Sequence, residues 1–220
     1  LSDQVAEEIW EQREEFMDGR RPRPHKLIAT VLFTDIQGFT PLSEKMEPHD
    51  LMSWLNEYME VMVGEISRYK GVVNKYIGDA IMAVFGIPIA RTNESEIEED
   101  AVNAVNSAIE MGKVLARLNI SWEKRGLPSI RMRVGIYTGP VMVGSVGGAN
   151  RLEYTVVGDT VNIASRLESY DKQVDPDNTC RILMGDTTYK YAGRQFAAEL
   201  LTQLPLKGKK EAVSIYRVSG

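Results

Sequence analysis

Cysteine and histidine are almost missing from this chain, and their scarcity excludes whole classes of site. The 220 residues include one cysteine and two histidines, so an intrachain disulfide is impossible. His25 and His49 also lack the spacing of a zinc site. We expect Cys180 to be a small buried apolar residue rather than a nucleophile. A lone cysteine is typical of a reducing compartment, which predicts a cytoplasmic protein.

Long apolar runs and an excess of positive charge are missing as well. No run approaches the ~18 residues that a membrane-spanning helix needs, and no signal peptide is visible, so this fragment is expected to make no membrane contact. A net charge of −5 argues against a role in coating nucleic acid. The first residue is Leu1 rather than methionine, so we expect a piece of a longer protein with upstream regulatory domains.

The common glycine-rich nucleotide motifs do not occur. No G-x-x-x-x-G-K-S/T sequence is present, which excludes a P-loop enzyme. Segment 144–148 is rich in glycine but lacks the G-x-G-x-x-G spacing of a dinucleotide-binding fold. A flexible turn is the better interpretation of that segment.

The chain divides into two predicted regions. Residues 1–24 are expected to form an N-terminal helix and linker from an upstream region. Val5, Ile9 and Phe16 recur there at helical spacing, and prolines and arginines follow them, which is typical of a stiff charged connector. Residues 25–220 are expected to form the main domain.

Apolar periodicity predicts the elements of the main domain. Hairpins separated by helices favour an α+β sandwich, in which helices pack on an antiparallel-rich sheet. In chain order we expect a strand over 27–33, a helix over 48–69, a hairpin over 72–77 and 80–85, a helix capped by Asn93, a hairpin over 130–137 and 141–146, a helix opened by Asp159 or Thr160, and strands over 181–184 and 213–218.

Two aspartates stand where apolar runs end. Asp35 lies in the segment FTDIQGFT and Asp79 in the segment KYIGD. Two such carboxylates brought together need a cation between them, and Mg²⁺ prefers carboxylate and phosphate oxygens. The glycine and Thr40 after Asp35 suggest backbone amides that open a helix and could receive a phosphate. Each aspartate alone is equally typical of a strand end or of a Gly-Asp turn.

Asn162 and Arg166 are four residues apart, so a helix would place them on one face. One amide and one guanidinium could orient a sugar and neutralise a phosphate, although such a pair alone is more typical of a solvated polar face. The small residues Gly158 and Ala164 leave room for a close approach, which favours a site. The cations of segment 206–210, taken alone, are typical of a solvated turn.

Together these stretches resemble the catalytic domain of the class III nucleotidyl cyclases. The resemblance runs in order from about Leu27 to Val218, and its separate motifs make it specific. The matching residues are Asp35-Ile36-x-Gly38-Phe39-Thr40, Lys75-x-x-Gly78-Asp79, Arg133-Val134-Gly135-Ile136 with Gly139, and Thr155-x-x-Gly158-Asp159-Thr160-Val161-Asn162-x-Ala164-x-Arg166.

The resemblance implies a ferredoxin-like palm that works as a head-to-tail homodimer with two composite active sites. It implies an adenylate cyclase, which converts ATP to 3′,5′-cyclic AMP and pyrophosphate by two-metal-ion catalysis. Two Mg²⁺ ions, which Mn²⁺ is expected to replace, would be held by Asp35, Asp79 and the Ile36 carbonyl. Asn162 would orient the ribose, and Arg166 would stabilise charge on the α-phosphate. The residues implied to hold phosphates are Gly38, Phe39, Thr40, Arg133 and Lys207.

Lys75 and Thr155 are the positions implied to recognise the base. Adenine accepts a hydrogen bond at N1 and donates one from N6, so an ammonium and a hydroxyl match it. Guanine has a donor at N1 and would leave Lys75 unmatched, at a cost of ~1–3 kcal/mol. Threonine at position 155 is similar to the soluble bacterial adenylate cyclases that respond to bicarbonate, so bicarbonate stimulation is a further expectation.

Other functions on related folds are weighed against this hypothesis. A guanylate or dual-specificity cyclase is disfavoured by Lys75 and Thr155. A non-catalytic cyclase-like dimerisation domain usually lacks a metal aspartate or the arginine, and here both aspartates and Arg166 are present. A diguanylate-type cyclase would need a Gly-Gly-acidic-acidic-Phe signature, which segment 147–150 lacks.

Overall fold

The structure is a computed structural model. It describes residues 17–18, 21–148, 151–171, 173–205 and 212–219. Lys207, one of the expected phosphate-binding residues, lies outside these ranges.

Strands account for much of the described chain. In chain order they are β1 (Met17–Asp18), β2 (Arg21–Pro22), β3 (His25–Ile36), β4 (Val72–Ile77), β5 (Ala80–Phe85), β6 (Met132–Gly148), β7 (Arg151–Val157), β8 (Cys180–Gly185), β9 (Ala198–Leu204) and β10 (Val213–Val218).

Helices connect several of these strands. They are α1 (Phe39–Ser43), α2 (Pro48–Arg68), α3 (Glu94–Lys124), α4 (Asp159–Ser169) and α5 (Asp186–Ala192), and a short 3₁₀ turn at Gly193–Gln195 follows α5. Within the described ranges, none of these helices combines the length and the apolar character that a membrane crossing requires.

The main sheet has the strand order β4-β5-β3-β6-β8-β10-β9, and β7 extends it by pairing with β6. Among the described strands of this sheet, β6 and β8 run parallel and the other pairs are antiparallel. The succession β3-α2-β4-β5-α3-β6 with β3 and β5 at the centre is the ferredoxin-like arrangement. The α+β prediction is therefore confirmed.

Helices cover both faces of the sheet. On one face, α2 and α3 bury a large aromatic and aliphatic layer in which the rings of Trp54 and Trp122 lie 5.0 Å apart. On the other face, α4 packs Ile163, Ala164 and Leu167 against β3 and β6. β3 is buried on both faces, which explains why its sequence is a continuous apolar run.

The predicted hairpin over 130–137 and 141–146 is wrong. β6 continues through Thr138, Gly139 and Pro140, and its turn comes later, before β7. Among the described strands, β8 leaves β6 at Ile136 and β7 joins it at Met142, so Pro140 has only β3 as a neighbour. Proline is tolerated there because the open side of the strand needs no N–H.

Two further local predictions also need correction. Segment 144–148 is the paired end of β6 rather than a flexible turn, because its backbone bonds to β7. The predicted N-terminal helix is wrong for Met17 and Asp18, which pair with β2, as a helical backbone could not. The remainder of that helix lies outside the described residues.

Candidate active site

The turn between β4 and β5 brings Asp79 to the end of β3, where Asp35 lies. A carboxylate oxygen of Asp79, Oδ2, accepts a hydrogen bond of 3.0 Å from the backbone N–H of Ile36. This bond joins positions separated by 43 residues in the chain. The two aspartates that end separate apolar runs in the sequence therefore meet at one edge of the fold.

The charged form of Asp79 is destabilised at this position. Burial, followed by repulsion from Asp35, raises the pKa of Asp79 to about 6, while the Ile36 N–H opposes that rise. Such a pair suits a divalent cation with hard oxygen ligands. Within the described ranges, no group of three or more histidine, cysteine or acidic side chains could hold a metal. Carbonyl, water or phosphate oxygens would therefore complete the coordination, as Mg²⁺ tolerates.

Arg133 is an internal cation of this cluster. It lies on β6 directly across from Asp35 in the β3–β6 ladder, and its guanidinium forms an ion pair with that carboxylate. Its Nε also lies 3.0 Å from Oε1 of Glu168 on α4. The arginine and Glu168 are both buried, so this ion pair is shielded from solvent. Arg133, expected to bind phosphate, is held next to the candidate metal ligands.

Glu168 and Arg181 extend the buried charge network. Burial, and then repulsion from Asp35, raises the pKa of Glu168 to about 7, although Arg133 and Arg181 oppose the rise. Arg181 is 2% exposed. Its guanidinium donates to backbone oxygens at the end of α4, those of Leu167, Glu168, Tyr170 and Asp171. A cation at a helix C-terminus is favourable, so this arginine caps α4.

Sequence reasoning missed Glu168 and Arg181. A signal was present in both cases, because each charge stands beside apolar residues of a buried face. Arg181 lies inside the apolar strand β8, and Glu168 follows Leu167 on the inner side of α4. Charges at such positions are almost never fully buried unless they are paired.

Helix α4 presents the predicted pair Asn162 and Arg166 on its exposed face. Its start is anchored by Thr160, whose hydroxyl donates a hydrogen bond of 2.8 Å to the Pro140 carbonyl. Its middle approaches β6 so closely that a Cβ at Gly135 would collide with backbone atoms of the helix. The outward direction of Asn162 and Arg166 is therefore set by the contacts on the opposite face.

Lys75 on β4 and Thr155 on β7 each contact a residue of the other strand. The Lys75 ammonium is 2.5 Å from a carboxylate oxygen of Glu153 on β7. The Thr155 hydroxyl donates a hydrogen bond of 2.8 Å to the side-chain oxygen of Asn74 on β4. These contacts link β4 with β7, so the two expected base-reading residues stand on adjoining edges.

The segment after Asp35 turns sharply into a short helix. Gly38 has φ of +75° and precedes α1, a left-handed conformation that favours glycine. Phe39 packs on the α2–α3 layer, while Thr40 is exposed. The amides expected to hold phosphate therefore come directly after the strand end that carries Asp35.

The fold has solved relatives of both base specificities. It is similar to the adenylyl cyclase CyaB from P. aeruginosa, with 34% identity and a TM-score of 0.81, over 90% of this chain and 96% of that one. It is also similar to the guanylyl cyclase Cya2, with 32% identity and a TM-score of 0.78, over 89% of this chain and 93% of that one. Overall similarity therefore does not identify the base.

Sequence relatives are longer proteins. An adenylate cyclase of Anabaena cylindrica is 37% identical over 196 residues, which are 86% of this chain and 36% of that protein. Adenylate cyclase 1 of Rhizobium meliloti is 34% identical over 192 residues, 87% of this chain and 27% of that protein. The chain thus spans about a third of the length of these relatives or less.

The family assignment rests on a match over most of the chain. The family model of the adenylate and guanylate cyclase catalytic domain matches residues 23–220, a range that begins just before β3. It includes the edge with Asp35 and Asp79, the exposed face of α4, and the paired strands that carry Lys75 and Thr155. The chain therefore belongs to the family of adenylate and guanylate cyclase catalytic domains.

Proposed function

We propose that this domain is an adenylate cyclase that converts ATP to 3′,5′-cyclic AMP and pyrophosphate. The choice of adenine rests on the positions of Lys75 and Thr155 on two linked strands. The Lys75–Glu153 ion pair and the Thr155–Asn74 hydrogen bond join these strands. An ammonium can donate to adenine N1, and a hydroxyl can accept from N6. The adenylate cyclases among its relatives support the same choice.

The reaction joins the ribose 3′-oxygen to the α-phosphorus and breaks the bond from that phosphorus to pyrophosphate. Asp35, Asp79 and the Ile36 carbonyl would hold Mg²⁺ or Mn²⁺. Metal ions bound there would lower the pKa of the 3′-hydroxyl and neutralise the triphosphate. The crowding of the two acids, visible in the raised pKa of Asp79, supports a cation-binding role.

The remaining residues would orient the nucleotide and stabilise its charge. Asn162 would position the ribose, and Arg166 would meet negative charge that grows on the α-phosphate during the reaction. Both are exposed on α4, where a nucleotide could reach them. The residues that would bind phosphate are Gly38, Phe39, Thr40, Arg133 and Lys207.

A head-to-tail homodimer would bring the two halves of the site together. Asp35 and Asp79 lie at one edge, whereas Asn162 and Arg166 face outward from α4. In a symmetric pair each chain would supply one half to each of two composite sites. Exposed apolar side chains support a covered surface. Those on β4, β6 and β7 are Tyr76, Ile77, Met142, Val146 and Val157.

The proposed location rests on the single cysteine, and the proposed response to bicarbonate rests on the resemblance. We propose a cytoplasmic domain in a longer protein whose upstream regions regulate it. Thr155 resembles the threonine of the adenylate cyclases that respond to bicarbonate, so we propose stimulation by that ion. A bicarbonate titration of the purified domain at constant pH tests this proposal separately from the reaction itself.

The decisive experiment measures products from ATP and from GTP with Mg²⁺ or Mn²⁺, resolved by chromatography. We expect 3′,5′-cyclic AMP and pyrophosphate in equal amounts and much less cyclic GMP. A preference for GTP would favour the second candidate, a guanylate or dual-specificity cyclase. The similarity to the guanylyl cyclase Cya2 is the reason to consider that candidate. No cyclic product from either nucleotide would favour a non-catalytic dimerisation domain.

A further inference from the structure

Asn74 occupies a β-bulge beside the expected base-reading residues. The β4–β5 register shifts between Val73 and Lys75, so Asn74 has no directly opposed partner on β5. Its side chain instead reaches β7, where it contacts both Tyr154 and Thr155. A bulge re-aims side chains in this way, and here it points an amide at the residue expected to meet the base.

The Tyr154 carbonyl fixes the orientation of this amide. Asn74 Nδ2 donates a hydrogen bond of 3.3 Å to the Tyr154 backbone oxygen. A carbonyl oxygen can only accept, so reversing the amide would set two acceptors against each other. The amide nitrogen must therefore face Tyr154, which leaves Asn74 Oδ1 facing Thr155.

The orientation of Asn74 in turn fixes the Thr155 hydroxyl. Oδ1 of Asn74 can only accept, so the Thr155 hydroxyl must donate its proton along the 2.8 Å bond. Thr155 is 5% exposed, so water offers it little alternative. The free valence of this hydroxyl is consequently a lone pair, which can accept a hydrogen bond but has no proton left to donate.

We propose that Asn74 is a positioning residue that makes Thr155 an obligate acceptor and so selects a 6-amino over a 6-oxo purine. Adenine presents an N–H donor at position 6, which matches the lone pair. Guanine and hypoxanthine present an oxygen there, which would face another acceptor. This inference rests on the proposed function, and it separates recognition at position 6 from the contact of Lys75 with N1.

The inference predicts a change in base preference rather than in overall rate. In Asn74→Ala the Thr155 hydroxyl can rotate and donate to a 6-oxygen. We expect the ratio of kcat/KM for ATP to that for ITP to fall roughly threefold to tenfold, and the ratio for ATP to GTP to fall likewise. ITP lacks the 2-amino group of GTP, so it differs from ATP only at positions 1 and 6. The mismatch of N1 with Lys75 is the same in the wild type and in the Asn74 variants, so a change in the ratio reports on position 6.

Ratios from one preparation are independent of the fraction of folded enzyme, so partial misfolding does not change the result. Asn74→Leu, which fills a similar volume without hydrogen bonds, should behave like Asn74→Ala. Asn56→Ala truncates an exposed asparagine on α2 and is the matched control that should leave both ratios unchanged.

The variant Thr155→Asp provides a second background, which tests whether Asn74 acts through the Thr155 hydroxyl. In Thr155→Asp, the carboxylate accepts whatever its neighbour does, so Asn74 is no longer needed to set its polarity. Adding Asn74→Ala to Thr155→Asp should therefore leave the ratio for ATP to ITP unchanged or raise it. If Asn74→Ala lowered the ratio for ATP to ITP equally with Asp or Thr at position 155, the proposed role of Asn74 would be wrong.

The outcomes separate this inference from the proposed function. If the wild-type domain makes no cyclic AMP or prefers GTP, the proposed function is wrong. If the wild type prefers ATP and both Asn74 variants keep its ratios, the proposed function stands and the role of Asn74 is wrong.

Discussion

Asp79 and Ile36 are joined by a hydrogen bond from the Ile36 N–H to the Asp79 carboxylate, at 3.0 Å. The bond closes the β4–β5 turn onto the end of β3. It also places the Asp79 charge beside Asp35, in a half-buried position where burial and repulsion raise its pKa to about 6. One contact therefore serves the fold while it creates an electrostatic strain that a cation would relieve.

Asp79→Asn separates the structural and electrostatic roles of this residue. The amide oxygen can still accept from Ile36, while the charge is lost. Because the folded pKa of Asp79 lies well above the ordinary pKa of an aspartate, wild-type stability falls as pH rises through about 6. Above that pH, without metal, we expect the variant to melt on the order of 2 °C higher than the wild type.

The same substitution should lower cyclic AMP formation by roughly a hundredfold or more. Asp79→Ala, which also loses the Ile36 bond, should melt below Asp79→Asn. Thermal unfolding at pH 4.5 and 7.5 checks the sign, since the advantage of Asp79→Asn should be much smaller at the lower pH. An advantage equally large at both pH values would contradict the electrostatic explanation.

Divalent ions should stabilise the folded domain in the absence of nucleotide. A metal at ten times its Kd raises the free energy of unfolding by about 1.4 kcal/mol, which calorimetry or a thermal-shift assay with Mn²⁺ can detect. Asp35→Asn should abolish this shift, whereas Asp177→Asn, which removes an exposed carboxylate, should retain it. An equal shift in both variants would place the ion elsewhere.

Removing Arg133 should leave Asp35 and Glu168 without their shared cation. We expect Arg133→Gln to lower the free energy of unfolding, measured with urea at pH 8.5, by about 3 kcal/mol. The loss should be smaller at pH 6, because the pKa of Glu168, already raised to about 7, rises further without Arg133. When an acid has a higher pKa in the folded than in the unfolded state, the folded protein loses stability as pH increases.

The matched test combines Arg133→Gln with Glu168→Gln. If the buried charge pair explains the cost, the double variant should be more stable than Arg133→Gln alone at pH 8.5. Additive losses in the two single variants would argue that packing rather than charge dominates.

Arg181 should be irreplaceable by lysine at the end of α4. Its planar guanidinium donates in several directions at once to the backbone oxygens of residues 167, 168, 170 and 171. An ammonium is a compact point charge and cannot match that set. We expect both Arg181→Lys and Arg181→Met to lose about 2 kcal/mol in chemical unfolding. Full stability in Arg181→Lys would show that charge alone suffices.

Mixed variants should reveal shared active sites. Asp35→Ala and Arg166→Ala damage different halves of the proposed composite site, so a mixed dimer keeps one intact site. Random pairing in an equal mixture predicts about a quarter of wild-type activity. Mixing Asp35→Ala with Asp79→Ala is the control, because both changes affect the same half. Equal activity in the two mixtures would argue against sites shared between chains.

Much of the local structure follows from neighbouring residues. The α2 helix begins at Pro48, and Gly71 follows its end, as the periodicity predicts. The β4–β5 hairpin has the predicted limits. The Asn93 side chain caps α3 by accepting from the Glu96 N–H, while the Glu96 carboxylate accepts from the Thr92 N–H. These features depend on contacts within a few positions.

Other features could not be predicted because they depend on distant partners. Pro140 suggested a turn, yet β6 runs through it because β3 supports that stretch from one side. Likewise, the charges of Glu168 and Arg181 resemble surface charges in the sequence. They are buried only because Arg133 and the end of α4 receive them.

The sequence by itself determined the strands and helices with strong periodicity, and its motifs determined the family. Local hydrogen bonds and apolar spacing act over a few residues, so they can be read without the fold. Only the tertiary structure decided which acid meets Ile36, which cation stands beside Asp35, and how Asn74 orients Thr155. Those contacts depend on strand register and helix packing between distant segments, which no local pattern encodes.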